Sequence, residues 1–295
     1  MLRWRLLLGV VFGVALAAWL WVDHNHSGSI PGVWLVPLLI VLVVLAAGET
    51  ITLLTSENLR PSAIVVYAGS LTIALSPWLA ILWPHVTLGP LGWPLLAVGL
   101  SFLVAVAHAV IYYQRETHAA TRLALTTLSL LFIGLLLSFV VQLRLIDKGQ
   151  LGVLPLVSLV IVVKMSDIGA YTVGRLIGKH KLAPSLSPGK TIEGLAGGVA
   201  FACLAAAMVW MTLDAGCVGA LENSGASLMA WLLFAPLVTL AGIVGDLAES
   251  MLKRDAGQKD SSTWMPGFGG VLDLLDSILV SAPVAYVFWA SGLLP

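Results

Sequence analysis

The chain has 295 residues, of which 59% are hydrophobic and 10% charged, and its fifteen basic residues balance fifteen acidic ones. Soluble domains carry about a quarter charged residues, so lipid must be the solvent for most of this chain. The balanced charge leaves no polybasic field, and no nucleic-acid partner is expected.

Nine apolar runs long enough to span a hydrocarbon core about 30 Å thick lie near residues 4–22, 33–49, 63–83, 92–113, 122–143, 153–177, 193–213, 228–250 and 268–290. The runs are continuous rather than alternating, which argues for helices and against a membrane barrel. The expected fold is an all-α, polytopic helix bundle forming a single membrane domain over 1–295. The first run follows Arg3 and Arg5 as a signal peptide would, but Trp19 follows Ala17-Ala18 where a cleavage site needs a small residue, so it reads as a retained helix. Cys203 and Cys217 lack the paired spacing of a zinc site and read as packing residues.

Basic residues in the connecting segments set the orientation. Arg3, Arg5, Arg60, Arg115, Arg122, Arg175, Lys179, Lys181, Lys190, Lys253, Arg254 and Lys259 fall on one side, and only Arg144 and Lys148 on the other. Nine spans with a cytoplasmic amino terminus satisfy that partition. Before residue 145 the helices hold little polar beyond His108 and the end residue Glu49, so 1–150 is assigned mainly to scaffold. Beyond it, Lys164, Asp167, Asp246, Glu249, Asp273 and Asp276 sit in helices or at their ends. Charges at membrane depth are costly enough to mark function, which assigns the chemistry to 151–295.

Two clusters carry that chemistry. In the first, Asp167, Tyr171 and Arg175 recur every fourth residue and share a helical face. The turn Ser187-Pro188-Gly189-Lys190-Thr191 follows, just ahead of a helix whose first turn holds Glu193. A lysine and helix amino-terminal N–H groups suit a phosphate. A P-loop is excluded, because the glycine required five residues before Gly189 is Pro184. In the second cluster, Asp246, Ser250 and Arg254 stand at fourfold spacing with Lys253 beside them, and Asp273 and Asp276 share a face. Asp246 brought near Asp273 would need a compensating cation, and magnesium, with its preference for carboxylates plus phosphate oxygens, is the natural one. Zinc is disfavoured because no His or Cys is clustered there.

The stretch from Ser250-Met-Leu-Lys-Arg through Lys259-Asp260 to Pro266-Gly-x-Gly-Gly-x-Leu-Asp-x-x-Asp-Ser277 resembles the signature of phosphatidate cytidylyltransferases, also called CDP-diacylglycerol synthases. The upstream D-x-x-A-Y-x-x-G-R and S-P-x-K-T-x-E-G elements are similar to that family too, so the resemblance covers roughly 160–285. It implies Mg²⁺-dependent transfer of CMP from CTP to phosphatidic acid by a polytopic membrane protein, expected in the cell inner membrane and as a possible homodimer, while the partition of basic residues places the active site facing the cytoplasm. Carried over, Asp246 and Asp273 would be metal ligands, Ser250 and Lys253 would lie around the phosphates, and Asp276 would be a further acidic site residue. Substrate contacts would come from Asp167, Tyr171, Arg175, Ser187, Lys190, Thr191, Glu193, Arg254, Lys259 and Asp260. The chain departs from the family's pattern at Phe268 and Leu274, where His and Arg are usual. A CDP-alcohol phosphotransferase is the alternative enzyme, but its D-G-x-x-A-R pattern is absent. An ion-coupled transporter is the alternative of another class.

Overall fold

The structure is a computed structural model that describes residues 2–28, 30–86, 88–113, 118–149, 151–214, 227–262 and 269–294. Helix α1 covers Leu2–His26. Among the described residues, eight helical spans, all after α1, are long and apolar enough to cross a membrane, where nine were expected: α2 (Val33–Leu54), α3 (Ala63–Leu82), α4 (Gly89–Ile111), α5 (Ala119–Leu145), α6 (Leu154–Ile177), α7 (Ile192–Leu213), α8 (Leu228–Asp255) and α9 (Leu272–Ala290). Large side chains such as Ile64, Leu95 and Leu176 are more than 70% exposed, as lipid-facing residues of an integral membrane protein are. The fold is all-α and polytopic, with one addition. Strand β1 (Lys181–Ala183) pairs antiparallel with β2 (Ser187–Thr191) in a short hairpin between α6 and α7. The segment expected as a mobile turn is therefore the second strand of a hairpin, whose end is fixed when Ile192 N–H donates to His180 C=O at 2.9 Å.

Helices α2 and α8 run furthest past their expected ends, and in each the polar groups of the extension are satisfied. Helix α2 continues past Glu49 to Leu54 because that carboxylate is buried and hydrogen-bonded rather than left at a boundary. Helix α8 continues to Asp255 and stops where Gly257 adopts φ +65°. There Gln258 N–H reaches Lys253 C=O at 2.8 Å, the glycine-terminated helix end that satisfies the last carbonyls.

The contacts divide the chain into two compact units, one of Met1–Gly152 with Leu252–Leu275, the other of Val153–Met251 with Asp276–Pro295. In the first unit α3 is central. Gly69 lies against Ser101 and Leu130, and Gly134 lets a π-helical turn of α5 (Leu130–Leu135) approach the Ser70 backbone, around a core of Val65, Ile73, Ala97, Ala105 and Leu130. A buried ion pair, Arg144 Nε to Asp23 Oδ2 at 2.7 Å, ties the end of α5 to α1. In the second unit α6 and α7 pack through glycines. A methyl group on Gly169 would meet the Gly197 carbonyl and Phe201, one on Gly194 the Ala170 carbonyl, and one on Gly198 the Ser166 carbonyl. Small residues of this kind let membrane helices approach backbone to backbone.

Candidate active site

In the second unit, charge converges from four elements. Lys164 Nζ donates to Asp167 Oδ2 at 3.3 Å on α6. Lys190, on β2, places Nζ 2.7 Å from Asp246 Oδ2 of α8. The ammonium is buried, and this ion pair is the contact it makes with an acid. Asp167 interacts electrostatically with both Lys190 and Asp246. On α8 Ser250 Oγ donates to Asp246 Oδ1 at 3.4 Å, and buried Glu249 lies beside the Asp276 carboxyl of α9. The Gly242-x-x-Gly245 pair brings these helices together, since a methyl group on Gly245 would run into the Asp276 carbonyl and Val280.

The hairpin that carries Lys190 is held from below. Glu193 accepts hydrogen bonds from the backbone N–H groups of Lys179 (3.1 Å) and His180 (3.2 Å) and contacts His180 Nδ1 at 2.6 Å. Thr191 Oγ1 accepts from Gly194 N–H at 3.0 Å and so caps α7. Thr191 and Glu193 thus shape the loop, while Lys190 is the member of the motif that faces an acid. Tyr171 and Arg175 face each other on α6, the guanidinium donating to the phenol oxygen at 2.6 Å. Ser187 begins β2, opposite Ala183.

The first unit holds a second constellation. Lys253 Nζ donates to Asp273 Oδ1 at 2.6 Å, with both side chains largely buried. The other oxygen, Oδ2, accepts from Ser261 N–H (2.9 Å), Ser261 Oγ (2.6 Å) and Gly270 N–H (2.8 Å). Glu49, on α2, receives Val271 N–H at 3.0 Å and Leu272 N–H at 2.8 Å, a carboxylate at the start of α9 where the helix dipole favours it. Its Oε2 also lies 3.0 Å from Ser261 Oγ. Gly270 has no room for a side chain, because a Cβ would overlap the Glu49 carboxylate and the Ser261 hydroxyl. The sequence reading assigned Glu49 to scaffold, and nothing in its local pattern links it to residues more than 200 positions away. The usable signal was an acid inside an apolar run, which is costly unless it has partners.

Arg254 donates to Gln258 C=O at 3.4 Å, and Lys259 and Asp260 are exposed on the loop that follows. Phe268, with Pro266 and Gly267 of the glycine-rich signature, lies outside the described residues, as do Cys217 and Arg115. Leu274 is half-buried in the first turn of α9.

The donor chemistry suits a hard cation. The charged acceptors are carboxylates, and among the described residues no three His, Cys, Asp or Glu side chains gather into a cage. An ion held by one or two carboxylates would complete its shell with phosphate oxygens and water, as magnesium does. Asp246, with a side chain 36% exposed and two partial contacts, has lone pairs to offer, whereas Asp273 Oδ2 is taken up by three donors.

The profile of the cytidylyltransferase family matches residues 3–291. Among curated relatives, the phosphatidate cytidylyltransferase of Pseudomonas aeruginosa is 42% identical over 138 residues, which cover 46% of this chain and 48% of the relative. That of Bacillus subtilis is 35% identical over 176 residues (60% and 61%), and that of Haemophilus influenzae 38% over 138 residues (47% and 46%). The matched stretches thus span from about half to three-fifths of these relatives. The chain belongs to the cytidylyltransferase family.

Proposed function

We propose that this member of the cytidylyltransferase family transfers CMP from CTP to phosphatidic acid, forming CDP-diacylglycerol and pyrophosphate at the cytoplasmic face of the cell inner membrane. The observation that carries the reading is Lys190, a buried ammonium in a Ser-Pro-Gly-Lys-Thr hairpin strand, 2.7 Å from the Asp246 carboxylate. A cation so placed can also engage an anionic ligand, and a phosphate oxygen offers its ammonium a further charged acceptor. The phosphatidate cytidylyltransferases of similar sequence bring nucleotide and lipid phosphate to one reaction.

A phosphatidate phosphate oxygen forms the new bond to the α-phosphorus of CTP. The bond from that phosphorus to the α–β bridging oxygen breaks, and pyrophosphate leaves with the electron pair. The nucleophile is already ionised near neutral pH, so no side chain has to remove a proton. The protein's work is positioning and charge neutralisation. Lys190 holds a phosphate from the hairpin. Lys253, kept in place by Asp273, and Arg254 offset charge on pyrophosphate or headgroup, and Ser250 donates a hydroxyl. Mg²⁺ would be held through Asp246, which has the freer oxygens, and when bound would supply neutralisation of the phosphate charge.

The test is a substrate panel with the purified full chain in lipid nanodiscs and Mg²⁺, pairing CTP, ATP, GTP and UTP with phosphatidate, phosphatidylglycerol and diacylglycerol. The reading requires a lipid-soluble cytidine product from CTP and phosphatidate alone. Product from diacylglycerol, equal use of all nucleotides, or solute flux without nucleotide turnover would overturn it.

A further inference from the structure

Within the first unit, three consecutive amides at the start of α9 face carboxylates from two distant parts of the chain. Gly270 N–H donates to Asp273 Oδ2 at 2.8 Å, Val271 N–H to Glu49 Oε1 at 3.0 Å and Leu272 N–H to Glu49 Oε2 at 2.8 Å. Two consecutive glycines make room for the same two acids. A methyl group on Gly269, which holds φ +82°, would overlap the Asp273 carboxylate, and one on Gly270 would overlap that of Glu49. A helix start attracts anions, and here the anions are the chain's own, so these amides are committed before any phosphate arrives.

Ser261 joins the two acids. Its buried hydroxyl lies 2.6 Å from Asp273 Oδ2 and 3.0 Å from Glu49 Oε2. One hydroxyl proton serves one acceptor at a time, so the serine is placed by both carboxylates, and Asp273 depends on Glu49 through it. Asp273 in turn holds Lys253 Nζ at 2.6 Å. Contacts thus run from Glu49 through Ser261 and Asp273 to Lys253, the cation that offsets phosphate charge. A helix start alone does not call for this arrangement. Asp273, in the first turn of α9, already receives one of the amides, and a Ser, Thr or Asp beside the helix is the usual cap. An acid drawn from α2, 222 positions before Val271 and only 8% exposed, costs desolvation that a local cap avoids. What the distant acid adds is a fixed geometry around Asp273.

We propose that Glu49 is a positioning residue for cytidylyl transfer: it fixes Ser261 and the first turn of α9 so that Asp273 presents Lys253 to the transferring phosphates. The proposal rests on the functional reading given above and carries the residues that serve it into the first half of the chain. Glu49 acts through Lys253 rather than on the substrate.

The experiment uses the full chain in lipid nanodiscs with phosphatidate, labelled CTP and Mg²⁺, and compares Glu49→Gln in the native background with the same change in Lys253→Met. The glutamine keeps the shape but turns an amide NH₂ toward groups that the carboxylate received as donors. It should lower kcat about tenfold while KM for CTP stays within about twofold, the pattern of an interaction made in the transition state. In the Lys253→Met chain the same substitution should cost no further activity, because the group it positions is gone. Hydrogen exchange should quicken about fivefold at the Ser261 and Gly270 amides, whose hydrogen bonds go to Asp273. Glu49→Asp, which keeps the charge and shortens the reach, should show the same dependence on Lys253 with a smaller loss, and it carries the test if the glutamine variant does not fold. An equal fold loss of kcat in both backgrounds would make Glu49 structural only. Native kcat in Glu49→Gln, or native exchange at Ser261 and Gly270, would cut the link to Asp273. Each of these results overturns the proposal and leaves the functional reading standing, whereas a native chain that makes no cytidine lipid from CTP and phosphatidate overturns both.

Discussion

Lys190 and Lys253 each face a carboxylate, yet their surroundings differ in a way that predicts different phenotypes. Lys190 pairs with a partly exposed Asp246, whereas Lys253 pairs with an Asp273 that also binds Ser261 and Gly270. Asp246→Asn should therefore abolish turnover while changing stability by no more than about 1 kcal/mol, the scale of a solvent-screened pair. Asp273→Asn turns an acceptor into a donor against N–H groups and strands Lys253, so turnover and thermal stability should fall together, stability by about 2–4 kcal/mol. Equal stability loss in the two variants, read from melting in detergent, would contradict this division of roles. Lys190→Met should lower turnover by about a hundredfold, the usual loss when one preorganised donor to a reacting phosphate is removed. Unchanged turnover would remove Lys190 from the phosphate site. Gly270→Ala drives a methyl group into the Glu49 carboxylate and should cost about 1–3 kcal/mol by overpacking, with a matching drop in melting temperature.

Among the elements, the α6–α7 pair and the hairpin between them position Lys190. Their glycines are spacers: Gly169 and Gly197 sit where a side chain would meet the opposing helix. Gly169→Val should part the helices and lower thermal stability, and a variant that melts like the native protein would show that the helices tolerate separation. The hairpin hangs on Glu193, which gathers the Lys179 and His180 amides. Glu193→Ala should raise hydrogen exchange at those amides by about fivefold, since each lost hydrogen bond contributes about 1 kcal/mol to protection. These elements were partly readable in sequence. The apolar runs located the spans, because a bilayer imposes its thickness on any helix that crosses it. The hairpin was not readable, because Pro188 and Gly189 signal a turn and the pairing that makes Ser187–Thr191 a strand comes from Lys181–Ala183.

For the whole molecule, the sequence reading assigned scaffold to 1–150 and chemistry to 151–295 on the distribution of charge alone. The density of charge after residue 160 pointed to Asp246, Lys190 and Asp273, and each of them has a charged partner. The first half was read as inert because helix-local patterns carry no information about distant contacts. Glu49 meets Val271, Leu272 and Ser261 only through tertiary packing, and Arg144, counted as a loop charge, is neutralised by buried Asp23. The central claim is that one enzyme splits CTP between its α- and β-phosphates and passes the nucleotide part to a lipid phosphate. The most direct measurement supplies purified protein, phosphatidate and Mg²⁺ with CTP labelled in one reaction at the α-phosphate and in a parallel one at the γ-phosphate. The account predicts that the α-label moves into the organic phase, and the γ-label into aqueous pyrophosphate, in equal amounts. Label from the γ-position in lipid, or release of inorganic phosphate with none of the α-label extracted, would contradict it.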